Sequence, residues 1–223
     1  MKRIVVFAPH PDDETLGCGG TIAKRITEGC EVNIVVMTDG RYAFVRVLGI
    51  ESDPTPDELR LIRKKECIEA MKILGVTNNN LEFLEFEDES LTKRKKDVEK
   101  RITDILRCAP DEIYLPYGRD YNIDHQVTNR IVHSSIRKLG LTTLAYEYSI
   151  APKYALILLL LRQLISSNTL RNDISDFLSV KETAIKQYRS QISMINDKQK
   201  KPVLPYVQRF LKKEETLFLK RYF

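Results

Sequence analysis

Residues 4–20 read IVVFAPHPDDETLGCGG, and the fold turns on how they divide. Lys2 to Ala8 is a short run of Val, Ile and Phe with no polar alternation, the pattern of a strand buried on both faces. His10, Pro11, Asp12, Asp13 and Glu14 follow at once. Asp13 to Glu28 then reads as a helix that ends at Gly29, a suitable capping residue. Glu31 to Met37, EVNIVVM, is a second buried strand. A strand, a helix and a strand in this length make a right-handed βαβ unit and hence a parallel sheet. The glycines at 17, 19 and 20 stand too far from the strand end to cradle a phosphate, so they read as close packing of the helix on the sheet.

The rest of the chain continues the alternation. Thr38, Asp39 and Gly40 close the second strand. Arg41 to Pro54 has no clean period and reads as a long loop, a candidate lid. Thr55, Pro56 and Glu58 form a capping-box start for a helix that carries Leu59, Ile62, Glu66, Ala70 and Ile73 and stops at Gly75. Leu81 to Phe86 is a third strand and Leu91 to Leu106 an amphipathic helix. Glu112 to Pro116 is a fourth strand, followed by the polar loop YGRDYNID. A helix from about His125 to Arg137 and a strand from Leu141 to Tyr148 come next. Asp176 to Ile195 reads as helical. Beyond Pro202 and Pro205, apolar residues at 210, 211, 217, 218 and 219 suggest a C-terminal helix docked on the body. The expectation is an α/β three-layer sandwich with a mostly parallel sheet. It forms one domain over 1–223, with 197–223 as a C-terminal extension packed on it.

Composition narrows the function classes. A net charge of +5, spread along 223 residues without a binding motif, gives no support for nucleic acid. The most apolar stretch, Ala155 to Leu161, is too short to cross a bilayer. No leader pattern precedes the first strand. A soluble cytoplasmic protein without membrane insertion is expected. None of the four cysteines forms a CxxC pair, which suits buried thiols in a reducing compartment. The run YALILLLL at 154–161 serves either the core or a subunit interface, so a homo-oligomer stays open.

Sites on open α/β sheets lie beyond the carboxyl ends of the strands. Polar residues collect there after strands one, two and four, and more weakly at Glu87 to Ser90 after strand three. His10 and Asp13 flank a corner stiffened by Pro11 and can converge on one point. A catalytic zinc takes three protein ligands and keeps one position for water. The chain has only three histidines. His125, at the mouth of strand four, is the natural third ligand, whereas His133 lies within a helical stretch and reads as structural. Asp12, beside the ligands but aimed elsewhere, suits a proton carrier. Glu14 reads as a first-turn acid or a supporting partner of the ligands.

These residues resemble the signature of the PIG-L/LmbE-like zinc-dependent N-deacetylases. APHPDDETLGCGGTI matches its first motif closely. Thr38 to Gly40, the Arg63, Glu66, Ala70, Leu74, Gly75 series, FLEFEDESL at 83–91, Asp124-His125 and KETAIKQYRSQ at 181–191 follow in the family's order. The resemblance implies a Rossmann-like fold and removal of acetyl from an N-acetylated amino sugar, usually an N-acetylglucosamine unit, or its conjugate. It implies one zinc per chain on His10, Asp13 and His125, with Asp12 as general base. It places Asp88 on sugar hydroxyls and Arg41 in a loop that reaches the substrate. Relatives commonly read HPDH where this chain reads Asn122-Ile123-Asp124-His125. Asn122 can donate a hydrogen bond to a developing oxyanion but delivers no proton. Asp124 is free to orient His125 or a neighbour. The rival expectation is a non-catalytic carbohydrate- or nucleotide-binding protein on the same fold.

Overall fold

The computed structural model describes residues 1–150 and 168–223. Strands β1 (Arg3–Ala8), β2 (Glu31–Thr38), β3 (Leu81–Phe86), β4 (Glu112–Pro116) and β5 (Thr143–Tyr148) pair in parallel. β7 (Glu214–Tyr222) pairs antiparallel with β5, and β6 (Thr169–Asp173) pairs antiparallel with β7, giving the order β3-β2-β1-β4-β5-β7-β6. Period-two alternation sorts β1 between two cores. Ile4, Val6 and Ala8 pack on one side with α1 (Asp13–Thr27), α3 (Pro56–Ile73) and α6 (Leu178–Ile185). Val5 and Phe7 pack on the other with α4 (Lys95–Leu106) and α5 (Ile123–Leu139). The expected three-layer α/β architecture is therefore present. The order in which strands are added across the sheet reverses between β1 and β4, which run parallel, and this opens a crevice at their carboxyl ends.

Local signals act as read. Thr55 and Glu58 cap α3 reciprocally, with Pro56 in its first turn. Gly17 is required by packing, since a Cβ there would lie 2.2 Å from the Tyr148 ring.

Four segments differ from the sequence reading. Residues 41–54 are not wholly loop: Ala43–Leu48 form α2, ended by Gly49 at φ 70°. Phe44 anchors α2 against Leu59 and Val203, and six residues are too few to show a helical period. The amphipathic helix starts at Lys95 rather than Leu91. The expected helix over 176–195 is broken into a 3₁₀ turn at Ser175–Phe177, α6 and α7 (Arg189–Ile192). The C-terminal segment is a strand, not a docked helix. β7 lies between β5 and β6, with Glu215 and Leu217 buried. The apolar run at 154–161 lies outside the described residues. Among the described residues no helix is long and apolar enough to cross a membrane.

β7 also supports α1. That helix is kinked at Cys18, where φ is −146°. Backbone N–H groups of Gly20 and Thr21, just past the kink, donate to the Glu215 carboxylate at 2.9 Å each. Lys181 donates to the same carboxylate at 2.6 Å and to the Leu16 carbonyl at 2.9 Å. Lys181 and Glu215 are 1 % and 5 % exposed, so removing one partner strands a buried charge. Glu215→Ala is expected to destabilise the protein by about 3 kcal/mol, read as a lower urea midpoint at unchanged slope. An unmoved midpoint would mean that the cluster contributes nothing net.

Candidate metal centre

Asp12 sits at the corner between β1 and α1 with φ 132°, a conformation that costs a non-glycine residue about 1–3 kcal/mol. The surroundings hold it there. Its N–H donates to Glu14 Oε2 at 3.3 Å, and its carbonyl accepts from Thr15 and Leu16 at the start of α1. Arg63, from α3, donates to the Pro11 carbonyl at 2.7 Å and the Gly40 carbonyl at 2.8 Å, and pairs with Asp12 Oδ2 at 3.1 Å. Glu14 is fully buried and accepts from Thr15 at 2.8 Å and from the Tyr188 hydroxyl.

The corner aims two side chains at one point, and the loop after β4 adds a third. Asp13 Oδ2 lies 3.1 Å from His10 Nδ1 and 3.1 Å from His125 Nε2, and those two nitrogens are 3.3 Å apart. The spacing is that of neighbouring corners of a tetrahedron with bonds of about 2.0–2.1 Å, the length zinc makes to nitrogen. All three residues are buried. His125 Nδ1 lies 3.0 Å from Asp120 Oδ2, so the Asp120 carboxylate accepts a hydrogen bond from Nδ1–H and leaves the Nε2 lone pair facing the cluster. His10 presents its other nitrogen, Nε2, to Asp88 at 3.3 Å and Asp124 at 3.6 Å.

The electrostatics call for a cation. Asp12, Asp13, Glu14, Asp88, Asp120 and Asp124 are all buried around the two imidazoles, and Arg63 is the buried guanidinium among them. Burial alone would drive the His125 imidazole towards neutrality. The charge of Asp13 and the hydrogen bonds to Asp120 and Asp13 instead lift it to about 9. His10 is likewise held well above its ordinary range, against burial, by Asp124, Asp13 and Asp88. Asp13 is pulled far below the carboxylate range despite burial, by the His125 charge and by hydrogen bonds from His10 and His125. Asp12 goes the other way. Burial pushes it up to about 7 against the pull of Arg63, with Asp13 and Glu14 adding to the rise. Two imidazole nitrogens and a carboxylate oxygen, buried amid excess negative charge, fit a borderline divalent ion such as zinc.

The sequence-derived residues fall as follows. His10, Asp13 and His125 meet, with Asp12 beside them. Asp88 touches His10 and accepts from the Tyr42 N–H at 3.1 Å. Arg41 is held by Asp39, at 2.8 and 2.7 Å, and by Asp57 at 3.2 Å. Asn122 caps α5, its Oδ1 accepting from the Asp124 N–H at 2.8 Å, so only its amide NH₂ remains for an incoming group. Asp124 faces His10; the acid that orients His125 is Asp120. Sequence reading passed over Asp120, although a carboxylate five residues before a ligand in the same loop was a usable signal. Arg63 was read as part of a motif and not as a neighbour of Asp12. His133 is structural, as read: it bridges Glu147 at 2.8 Å and the Tyr222 hydroxyl at 2.7 Å.

The family model described as PIG-L, GlcNAc-PI de-N-acetylase, matches residues 5–136. Diacetylchitobiose deacetylase of Thermococcus kodakarensis is 26% identical over 215 residues, covering 86% of this chain and 70% of the relative. A probable N-acetyl-alpha-D-glucosaminyl L-malate deacetylase 2 of Bacillus cereus is 25% identical over 200 residues, covering 88% and 87%. In fold, the chain resembles the N,N'-diacetylchitobiose deacetylase structure from Pyrococcus horikoshii, with a TM-score of 0.71 at 23% identity over 99% of this chain and 84% of that one.

Proposed function

The chain belongs to the PIG-L family of deacetylases, hydrolases of amide bonds, and from that premise we propose that it is a zinc-dependent enzyme that removes acetyl from an N-acetylated amino sugar or its conjugate. The observation that carries the reading is the convergence of His10 Nδ1, His125 Nε2 and Asp13 Oδ2 at 3.1–3.3 Å from one another. These three atoms would hold one zinc ion per chain. Bound there, zinc supplies Lewis-acid polarisation of the amide carbonyl and makes water more acidic.

The chain's own groups do the rest. Arg63 engages Asp12 through Oδ2, which leaves Oδ1 to carry the proton. Asp12 takes a proton from the attacking water as the new C–O bond forms. It returns that proton to the sugar nitrogen as the C–N bond breaks, releasing acetate and the free amine. In the metal-free protein burial raises this carboxyl to about 7, and a buried carboxyl of this kind can both accept and release a proton. Asp120 keeps His125 in the ligating tautomer. Asn122 directs its amide N–H at the carbonyl oxygen, and Asp88 accepts from a sugar hydroxyl.

The test is direct. Protein loaded with one equivalent of zinc should release acetate from at least one of a panel of N-acetylated amino sugars and their glycosides. Chelation should abolish release and zinc should restore it. Full zinc occupancy with no acetate from any member of the panel would overturn the reading.

A further inference from the structure

The corner that carries Asp12 and Asp13 has two separate supports. Asp13 is fixed from within the corner. Its Oδ2 accepts the His10 backbone N–H at 2.9 Å, and its own N–H donates to the His10 carbonyl at 3.3 Å. Asp12, held at φ 132°, relies on groups further off. Arg63 takes its Oδ2, and its backbone N–H donates to Glu14 Oε2 at 3.3 Å.

Glu14 is in turn fixed from the far end of the chain. Its Oε1 accepts from the Thr15 hydroxyl at 2.8 Å and from the Tyr188 hydroxyl. Glu14 and Thr15 are 0 % exposed and Tyr188 is 1 % exposed, so no solvent stands in for a lost hydroxyl. Burial holds the Tyr188 phenol well above its ordinary range, so it keeps its proton and stays a donor. Tyr188 lies between α6 and α7, in the KETAIKQYRSQ stretch at 181–191. Both flanks of that stretch are clamped. Lys181 donates to the Leu16 carbonyl at 2.9 Å, and the Ser190 N–H and hydroxyl donate to the Glu66 carboxylate at 2.8 and 2.6 Å. The tyrosine is therefore a rigid prop, and its link to the corner runs through Glu14.

We propose that Tyr188 is a positioning residue: through Glu14 it holds the strained backbone of Asp12, and so aims the carboxylate that carries the proton, while the metal ligands keep their own support. The proposal rests on the deacetylase reading for what Asp12 does. A side chain locked by hydrogen bonds behind a reacting group keeps it within the narrow range of productive geometry.

The experiment removes one hydroxyl. In zinc-loaded Tyr188→Phe, kcat for acetate release should fall by roughly tenfold or more. KM and zinc affinity should each stay within about twofold of the parent. Amide hydrogen exchange, followed by NMR on the metal-free protein, should show the Asp12 N–H faster by roughly tenfold and the Asp13 N–H unchanged. Tyr222→Phe is the control. It removes a tyrosine hydroxyl 2.7 Å from His133 Nδ1, away from the corner, and should move neither readout. A kcat within about twofold of the parent, or zinc affinity that falls in step with kcat, would overturn the proposal. No acetate from the parent protein on any acetamido sugar would instead refute the deacetylase reading. Exchange then decides the positioning role: protection lost at Asp12 alone supports it, and equal loss at Asp12 and Asp13, or no loss, ends it. Should Tyr188→Phe fail to fold, the parent protein decides, since an unprotected Asp12 amide there ends the proposal and a protected one supports it.

Discussion

Asp12→Asn is expected to lower kcat by roughly 10³-fold while zinc and sugar remain bound. Asparagine keeps the shape of the side chain, and its amide oxygen can still accept from Arg63, which lies 3.1 Å from Asp12 Oδ2. What is lost is the titrating oxygen that, in the proposed mechanism, moves the proton from water to the amine. The sign of the stability effect makes the experiment discriminating. Burial raises the folded-state pKa of Asp12 to about 7, from its ordinary value of 3.8. Between those values the native state holds the proton more tightly than the unfolded chain, so this group's contribution falls as pH rises through the window. Above about 7 the buried charge is a liability in the metal-free protein, and asparagine removes it. Metal-free Asp12→Asn should therefore melt no lower than the parent at mildly alkaline pH, although its catalysis has collapsed. A kcat within a few-fold of the parent would remove Asp12 from the chemistry. A non-catalytic binding protein on this fold would have no rate to lose and would bind sugar as before.

His125→Ala should abolish both stoichiometric zinc binding and acetate release, the latter by more than about 10³-fold, because a catalytic zinc keeps only three protein ligands. Metal competes with protons for these nitrogens. In the metal-free protein His125 titrates at about 9 and His10 well above its ordinary range. Zinc takes the neutral rings, so binding near neutral pH must release protons and strengthen as pH rises towards 9. Titration calorimetry in two buffers of different ionisation enthalpy measures that release. The same raised pKa fixes the sign for folding of the metal-free protein. The stabilisation from His125 is complete below about 6.5 and is lost as pH rises through about 9. Zinc binding of undiminished affinity in His125→Ala, or no proton release in the parent, would show that His125 is not a ligand.

Much of the site was legible because its two halves are written locally. Strands β1 and β2 read as near-continuous apolar runs because helices cover both of their faces. The HPDDE corner follows at once, so His10, Asp12 and Asp13 sit together in sequence as they do in space. The capping box of α3 is equally local. His125 was reachable by elimination, given three histidines and the rule that strand ends carry sites. Asp120 was passed over because an acid in a polar loop looks like any other until Ile150 and His125 both reach its Oδ2, at 3.0 Å each.

The C-terminal region marks where local reading stopped. The spacing of Phe210, Leu211, Leu217, Phe218 and Leu219 suits a helical stripe, yet 214–222 pair with β5 and β6. A strand's hydrogen bonds come from partners far away in the chain, and no local period reports their presence. Glu215 was invisible for the same reason, since the N–H groups that it receives belong to a kink in α1 nearly 200 residues earlier. By itself, then, the sequence determined the parallel α/β layers and the His10 to Asp13 corner, because buried runs and adjacent polar residues are short-range properties. Tertiary structure alone decided the identity of β7, the orienting role of Asp120 and the commitment of Arg63 to Asp12. Each of these depends on groups brought together only when distant segments pack.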